Sequence, residues 1–145
     1  MLSAKWRLRL LRFYPPYLGA GIRARRTQGG FEAWMPLTWY NRNYVGTHFG
    51  GSLYALCDPF FMLILIEKLG PGYVVWDKSA TIHFRRPGRS TVRACFEIPE
   101  ERVAEIRAAA DRDGKCEPRF EAEVVDPAGE VVARVEKLLH VRRQP

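Results

Sequence analysis

Asp58 is the single charged residue between Gly51 and Ile66 in the run GSLYALCDPFFMLILIEKL, and a proline follows it directly. A carboxylate among apolar side chains is costly unless it is paired or hydrogen-bonded. So placed, it can activate water as a general base or attack a carbonyl itself. Charge developing on a carbonyl oxygen then needs donors. Gly50-Gly51 open the apolar run seven residues before Asp58, so the Gly51 N–H falls at a helix N-terminus, where the helix dipole favours negative charge. Glycine there also lets a substrate approach the backbone. Asn43, in the preceding polar loop, can add a side-chain donor. A purely structural reading stands beside this one. Pro59 has no N–H, so the Ala55 carbonyl loses its helical partner and the helix kinks, with Asp58 fixing the kink and the glycines making a tight helix entry.

Three further groups of residues bear on this chemistry. Lys78 falls on the apolar phase of a strand pattern and is the expected partner of Asp58; a snorkelling lysine or a local bulge is the alternative. Arg85, Arg86 and Arg89 surround Pro87-Gly88, and arginine forks suit phosphate, although a solvated charged turn has the same composition. His48 stands beside the site loop, where it can hydrogen-bond the loop or line the mouth of a site. His83 and His140 fall on polar strand phases and are assigned no role.

The elements that must position these residues follow from periodicity. Leu2, Trp6, Leu10 and Phe13 recur at helical spacing among Lys5, Arg7, Arg9 and Arg12, which predicts a basic amphipathic helix within residues 1–18, stopped by Pro15-Pro16. It suits docking on the domain's own sheet, or else contact with a membrane surface or a partner. AGIRARRTQGG and FEAWMPLTWY read as strands joined at Gly29-Gly30, with Pro36 marking an exposed or edge position. Gly51 to Leu69 reads as one long buried helix of roughly 28 Å, ended by Gly70-Pro71-Gly72. YVVWDKSATIHFRRPG places Val74, Trp76, Ala80, Ile82 and Phe84 on one strand face, and STVRACFEIP alternates through Val92, Ala94, Phe96 and Ile98. PEERVAEIRAAADRDG predicts a short helix, and Asp126-Pro127-Ala128-Gly129 a hairpin turn between two last strands. The pattern implies an α+β protein: a single antiparallel sheet of about six strands wrapped around one long central helix.

Composition sets the boundaries. One domain over residues 1–145 is expected, with 47% hydrophobic and 27% charged residues. The +7 net charge suits nucleic acid, anionic lipid or a phosphorylated small molecule as readily as solubility. No nucleic-acid motif is present, so no nucleic-acid partner is expected. Asp58-Pro59 interrupts the apolar run short of a transmembrane span, so no stable membrane insertion is expected. Cys57, Cys95 and Cys116 are widely spaced and odd in number, which argues against a zinc site or a disulfide framework and fits reduced thiols in the cytoplasm.

The element order, together with HFGGSLYALCD, resembles the hotdog-fold superfamily, especially small acyl-CoA thioesterases of the phenylacetate-pathway type. Gly50-Gly51 match that family's glycine pair, Asp58 its helix carboxylate and Asn43 its loop asparagine. The family histidine position holds Phe49, with His48 one residue early. Pro59 and the helix near Glu100 are further departures, and they resemble a poorly characterised thioesterase-like branch. The resemblance implies hydrolysis of an acyl-CoA thioester with no separate cofactor; a non-catalytic acyl-CoA or lipid-binding module is the alternative. It implies a homodimer or a tetramer in which the strand from Tyr73 to Arg86 pairs with its symmetry mate. Asn43 and Gly51 would then come from one subunit and Asp58 from the other. Phe49, His48, Gly50, Lys78 and the three arginines would contact the substrate, the arginines near the phosphates of coenzyme A.

Overall fold

The apolar segment forms two helices, not one. In the computed structural model, which describes residues 10–145, α2 (Gly50–Cys57) ends at Asp58 and α3 (Phe60–Leu69) begins after Pro59. Pro59 cannot donate to the Ala55 carbonyl, as its chemistry dictates. That carbonyl instead takes the Asp58 N–H at 3.3 Å and the Tyr17 hydroxyl at 2.8 Å. Tyr17 belongs to α1 (Pro15–Ala20), which Pro15 opens. Helical residues end at Leu11, ahead of Pro15-Pro16, but the stretch expected as a Pro-rich connection is itself a helix, proline being well suited to the first helical turn. The first nine residues of the expected N-terminal amphipathic helix lie outside the described residues. Tyr17→Phe is expected to destabilise the fold by about 1–2 kcal/mol, read from the urea unfolding midpoint, because it removes a buried hydroxyl that caps the broken turn.

The remaining elements are β1 (Arg23–Arg26), β2 (Gly30–Met35), β3 (Tyr73–Phe84), β4 (Val92–Glu97), α4 (Glu100–Asp113), β5 (Lys115–Cys116), β6 (Arg119–Val125) and β7 (Val131–Arg143). They form one antiparallel sheet in the order β1-β2-β4-β6-β7-β3, with the short β5 paired to β7. α3 lies against β2, β3 and β4, and its Phe60 and Phe61 stack on Phe96 and Phe120. The sheet thus covers a helix that is apolar nearly all round, as the sequence pattern requires. Pro36 ends β2 and does not mark it as an edge, because β2 is bonded on both sides.

At the outer margin of the sheet, β3 presents a long edge unpaired among the described residues. Its register with β7 shifts between Asp77 and Ser79, leaving Lys78 as the extra residue of a bulge. A bulge reverses which face each later residue takes. Before it, Val75 and Asp77 face the helices; after it, Ala80, Ile82 and Phe84 share the face of buried Lys137, Val135 and Ala133. The inward phase expected for Val74 and Trp76 is therefore wrong, and Trp76 stacks on His140 on the outer surface.

Candidate active site

Asp58 sits at the helix break with its side chain 48% exposed and its Oδ1 fixed. The Tyr54 hydroxyl, one turn upstream on α2, donates to Oδ1 at 2.8 Å. Lys137 Nζ, arriving from β7, donates to the same oxygen at 3.2 Å and to the Asp58 main-chain carbonyl at 2.9 Å. Oδ2 has no hydrogen-bond partner among the described residues. One carboxylate oxygen is therefore held while the other stays available.

The expected Lys78–Asp58 pair does not form. As the bulge residue, Lys78 points away from the helices and pairs with Glu117 at 2.6 Å. The cation beneath Asp58 is Lys137, whose side chain is 0% exposed and which also meets Asp77 Oδ2 at 3.1 Å. Burial works against the ammonium, but the Tyr54 hydroxyl and the Asp58 and Asp77 carboxylates outweigh it and leave the Lys137 pKa above the ordinary value. Burial pushes Asp77 up, against the pull of Lys137, and the Tyr54 hydroxyl likewise rises chiefly through burial. Neighbouring Cys57 is pushed up to about 12 by burial, so it is a neutral thiol and no nucleophile.

The other expected site residues gather elsewhere. Asn43, His48, Gly50, Arg85 and Arg86 border a cleft of about 420 Å³ together with Phe84, and Asp58 is not among its lining residues. Asn43 is committed to its own loop: its amide donates to Thr47 Oγ1 at 2.9 Å and to the His48 carbonyl at 3.3 Å, while its Oδ1 accepts the Val45 and Thr47 N–H groups. It shapes the loop and offers no spare hydrogen. Asn41 does the same one step earlier, donating to the Ala20 and Pro36 carbonyls.

His48 is buried, and its Nε2–H donates to the Ser90 carbonyl at 2.7 Å, clamping the loop to the 88–90 segment. Burial lowers its pKa and keeps the ring neutral. Phe49 is exposed, and its ring covers Gly51: a Cβ on Gly51 would stand 2.6 Å from it. The N–H groups of Gly50 and Gly51 have no backbone acceptor among the described residues, since Ser52 and Leu53 make the first helical bonds to Phe49. Arg86 pairs with Glu130 at 2.9 Å, while Arg85 and Arg89 are exposed. Among the described residues no three His, Cys, Asp or Glu side chains are grouped to hold a metal ion, and no helix is long and apolar enough to cross a membrane.

Lys137 is the candidate site residue that sequence reasoning missed, and its signal was present. On β7 the inward positions read Ala133, Val135, Lys137, Leu139 and Val141. Lys137 is thus the polar exception on an apolar strand face, the same anomaly that drew attention to Lys78.

A family described as a domain of unknown function, DUF4442, matches residues 5–141. A Pseudomonas aeruginosa protein of unknown function, described as a probable thioesterase, superposes with a TM-score of 0.87 at 25% identity, covering 99% of this chain and 97% of that one. A protein of unknown function from Chlorobaculum tepidum gives a TM-score of 0.77 at 18% identity, covering 96% and 94%. A Haemophilus influenzae thioesterase gives 0.68 at 17%, covering 99% and 92%. No curated protein matches. The seven-stranded antiparallel sheet around its helix is the hotdog fold expected from the sequence.

Proposed function

We propose that this chain, which belongs to the DUF4442 family, hydrolyses an acyl thioester, with acyl-CoA as the substrate class and Asp58 as the general base. The observation that carries the reading is the state of the Asp58 carboxylate: Oδ1 is fixed by Tyr54 and Lys137, and Oδ2 has no hydrogen-bond partner among the described residues at a half-exposed position. The fold shared with the Pseudomonas protein described as a probable thioesterase supports it. Oδ2 takes a proton from water, the oxygen adds to the thioester carbonyl, and the tetrahedral intermediate expels the thiolate, to which Asp58 returns the proton. The Gly51 N–H at the start of α2 is the proposed donor to the carbonyl oxygen.

One protomer does not complete this arrangement. Seven helical steps separate Gly51 from Asp58 by about 10 Å, too far for both to serve one carbonyl. Antiparallel pairing of β3 edges in a homodimer, in the register that sets Asp77 opposite Phe84, would bring the Asp58 of one chain to the cleft lined by Gly50 of the other. The unpaired edge and the exposed Phe49 and Phe84 support that pairing. Arg85 and Arg86 border that cleft and, with the exposed Arg89, suit the phosphates of coenzyme A. Asn43 serves by shaping the loop. Within the superfamily, the spacing of Gly50-Gly51 and Asp58 favours the phenylacetate-pathway type.

The test is thioester hydrolysis by the wild-type protein over short, long and aromatic acyl-CoAs. Turnover of at least one class is expected. Binding without turnover across the panel would establish the alternative, a non-catalytic acyl-CoA-binding module.

A further inference from the structure

Lys137 Nζ has three hydrogens and four acceptor atoms within 3.2 Å: Tyr54 Oη at 3.1 Å, the Asp58 carbonyl at 2.9 Å, Asp58 Oδ1 at 3.2 Å and Asp77 Oδ2 at 3.1 Å. The carbonyl it holds lies at the break between α2 and α3, where the proline interrupts the helical bonding. A single buried cation thus restrains both the backbone and the side chain of Asp58. We propose that Lys137 is a positioning residue for Asp58, holding its main-chain carbonyl and its Oδ1 together, with Asp77 as a second, competing counter-ion. The proposal takes its kinetic readout from the hydrolytic reading above.

The surrounding groups leave few charges to consider. Tyr17 of α1 and Tyr54 and Cys57 of α2 face the cluster, and burial keeps all three protonated. The charges that matter are therefore one ammonium shared by two carboxyl groups. Asp77 is the less accommodated of the two: its side chain is 23% exposed, and its Oδ1 is buried without any hydrogen-bond partner among the described residues. An acid kept in that state is a poor structural anchor. Its electrostatic effect is specific, because it draws Lys137 away from Asp58. Removing Lys137 and removing Asp77 must therefore act on Asp58 in opposite directions.

The experiment measures kcat and KM separately for wild type, Lys137→Met, Lys137→Arg and Asp77→Asn. Lys137→Met lowers kcat at least tenfold with KM within about twofold, because Asp58 loses the cation that holds both its carbonyl and its Oδ1. Lys137→Arg recovers part of that loss, and Asp77→Asn, which leaves Lys137 to Asp58, does not lower kcat. A kcat that survives Lys137→Met, or that falls equally in Asp77→Asn, overturns the proposal. If Lys137→Met does not fold, the Lys137→Met/Asp77→Asn pair removes the stranded carboxylate, and Lys137→Arg with Asp77→Asn still carries the comparison.

A second measurement is independent of turnover. Carbon-13 NMR titration of the Asp77 carboxyl in the full chain shows a lower midpoint in Asp58→Asn than in wild type, because the Asp58 charge opposes ionisation of Asp77. An unchanged midpoint overturns the coupling even if the protein hydrolyses thioesters. A lowered midpoint in a protein with no turnover upholds the charge coupling and sinks the hydrolytic reading instead.

Discussion

Asp58→Asn is expected to lower kcat for thioester hydrolysis by about 10²–10⁴-fold, the usual contribution of a positioned general base. The substitution keeps the shape of the side chain and leaves an oxygen to accept the Tyr54 hydroxyl. Lys137 retains Asp77, Tyr54 and the Asp58 main-chain carbonyl as partners. The fold is therefore preserved, and circular dichroism and the unfolding midpoint should differ little from wild type. Substrate affinity should also stay close to wild type, because the lost function is proton abstraction. Turnover that persists in Asp58→Asn would reduce Asp58 to a residue that holds a kink. Lost activity accompanied by lost folding would point the same way, so both are measured on one preparation.

Gly30→Ala is expected to have the largest effect on stability, about 3 kcal/mol or more, whereas Gly29→Ala costs less than about 0.5 kcal/mol. A Cβ on Gly30 would lie 1.9 Å from the Phe96 carbonyl oxygen and 2.9 Å from Ile64 Cδ1. The first contact is with backbone in the neighbouring strand, which no rotamer change can relieve. Admitting the methyl group would prise β2 from β4 beside Phe31 and Phe96, two buried members of the core. At Gly29 the nearest atoms belong to the flexible Glu97 side chain, at 3.4 Å. Urea unfolding of the two variants should separate them clearly. Equal midpoints would mean that the β2–β4 contact yields where close packing says it cannot.

These two glycines show what kind of information the chain carries by itself. Gly29-Gly30 is visible as a turn signal, but nothing in a dipeptide says which of the pair lies against a neighbouring carbonyl. The bulge in β3 is a similar case. Alternation in YVVWDKSATIHF reads equally well in either phase, and the inward face changes at Lys78 because the ladder to β7 skips it. Reading one phase throughout turned Val75 and Asp77 outward and turned Lys78 inward. The true cation was legible on β7, since Lys137 interrupts an inward series of apolar residues. Choosing between two off-phase lysines required knowing which strand is regular.

Local chemistry was more dependable. Glycines had to stop α3 and α4, and Asp126-Pro127-Ala128-Gly129 had to turn the last hairpin, whereas the missing N–H of Pro59, read as at most a kink in one long helix, divides it in two. The apolar run from Leu53 to Leu65 had to be the buried centre of a sheet, because no other placement covers it on all sides. Sequence by itself therefore determined an antiparallel sheet around an apolar helical segment and singled out Asp58, since both follow from residue type and period over short distances, while the hotdog fold was what the resemblance implied. Tertiary structure alone decided that Tyr17 takes the orphaned Ala55 carbonyl, that Asn43 spends its hydrogens on its own loop and that Lys137 underlies Asp58. Each of those contacts depends on strand register or loop course, and a donor has no preferred partner until the folded chain brings one within hydrogen-bonding distance.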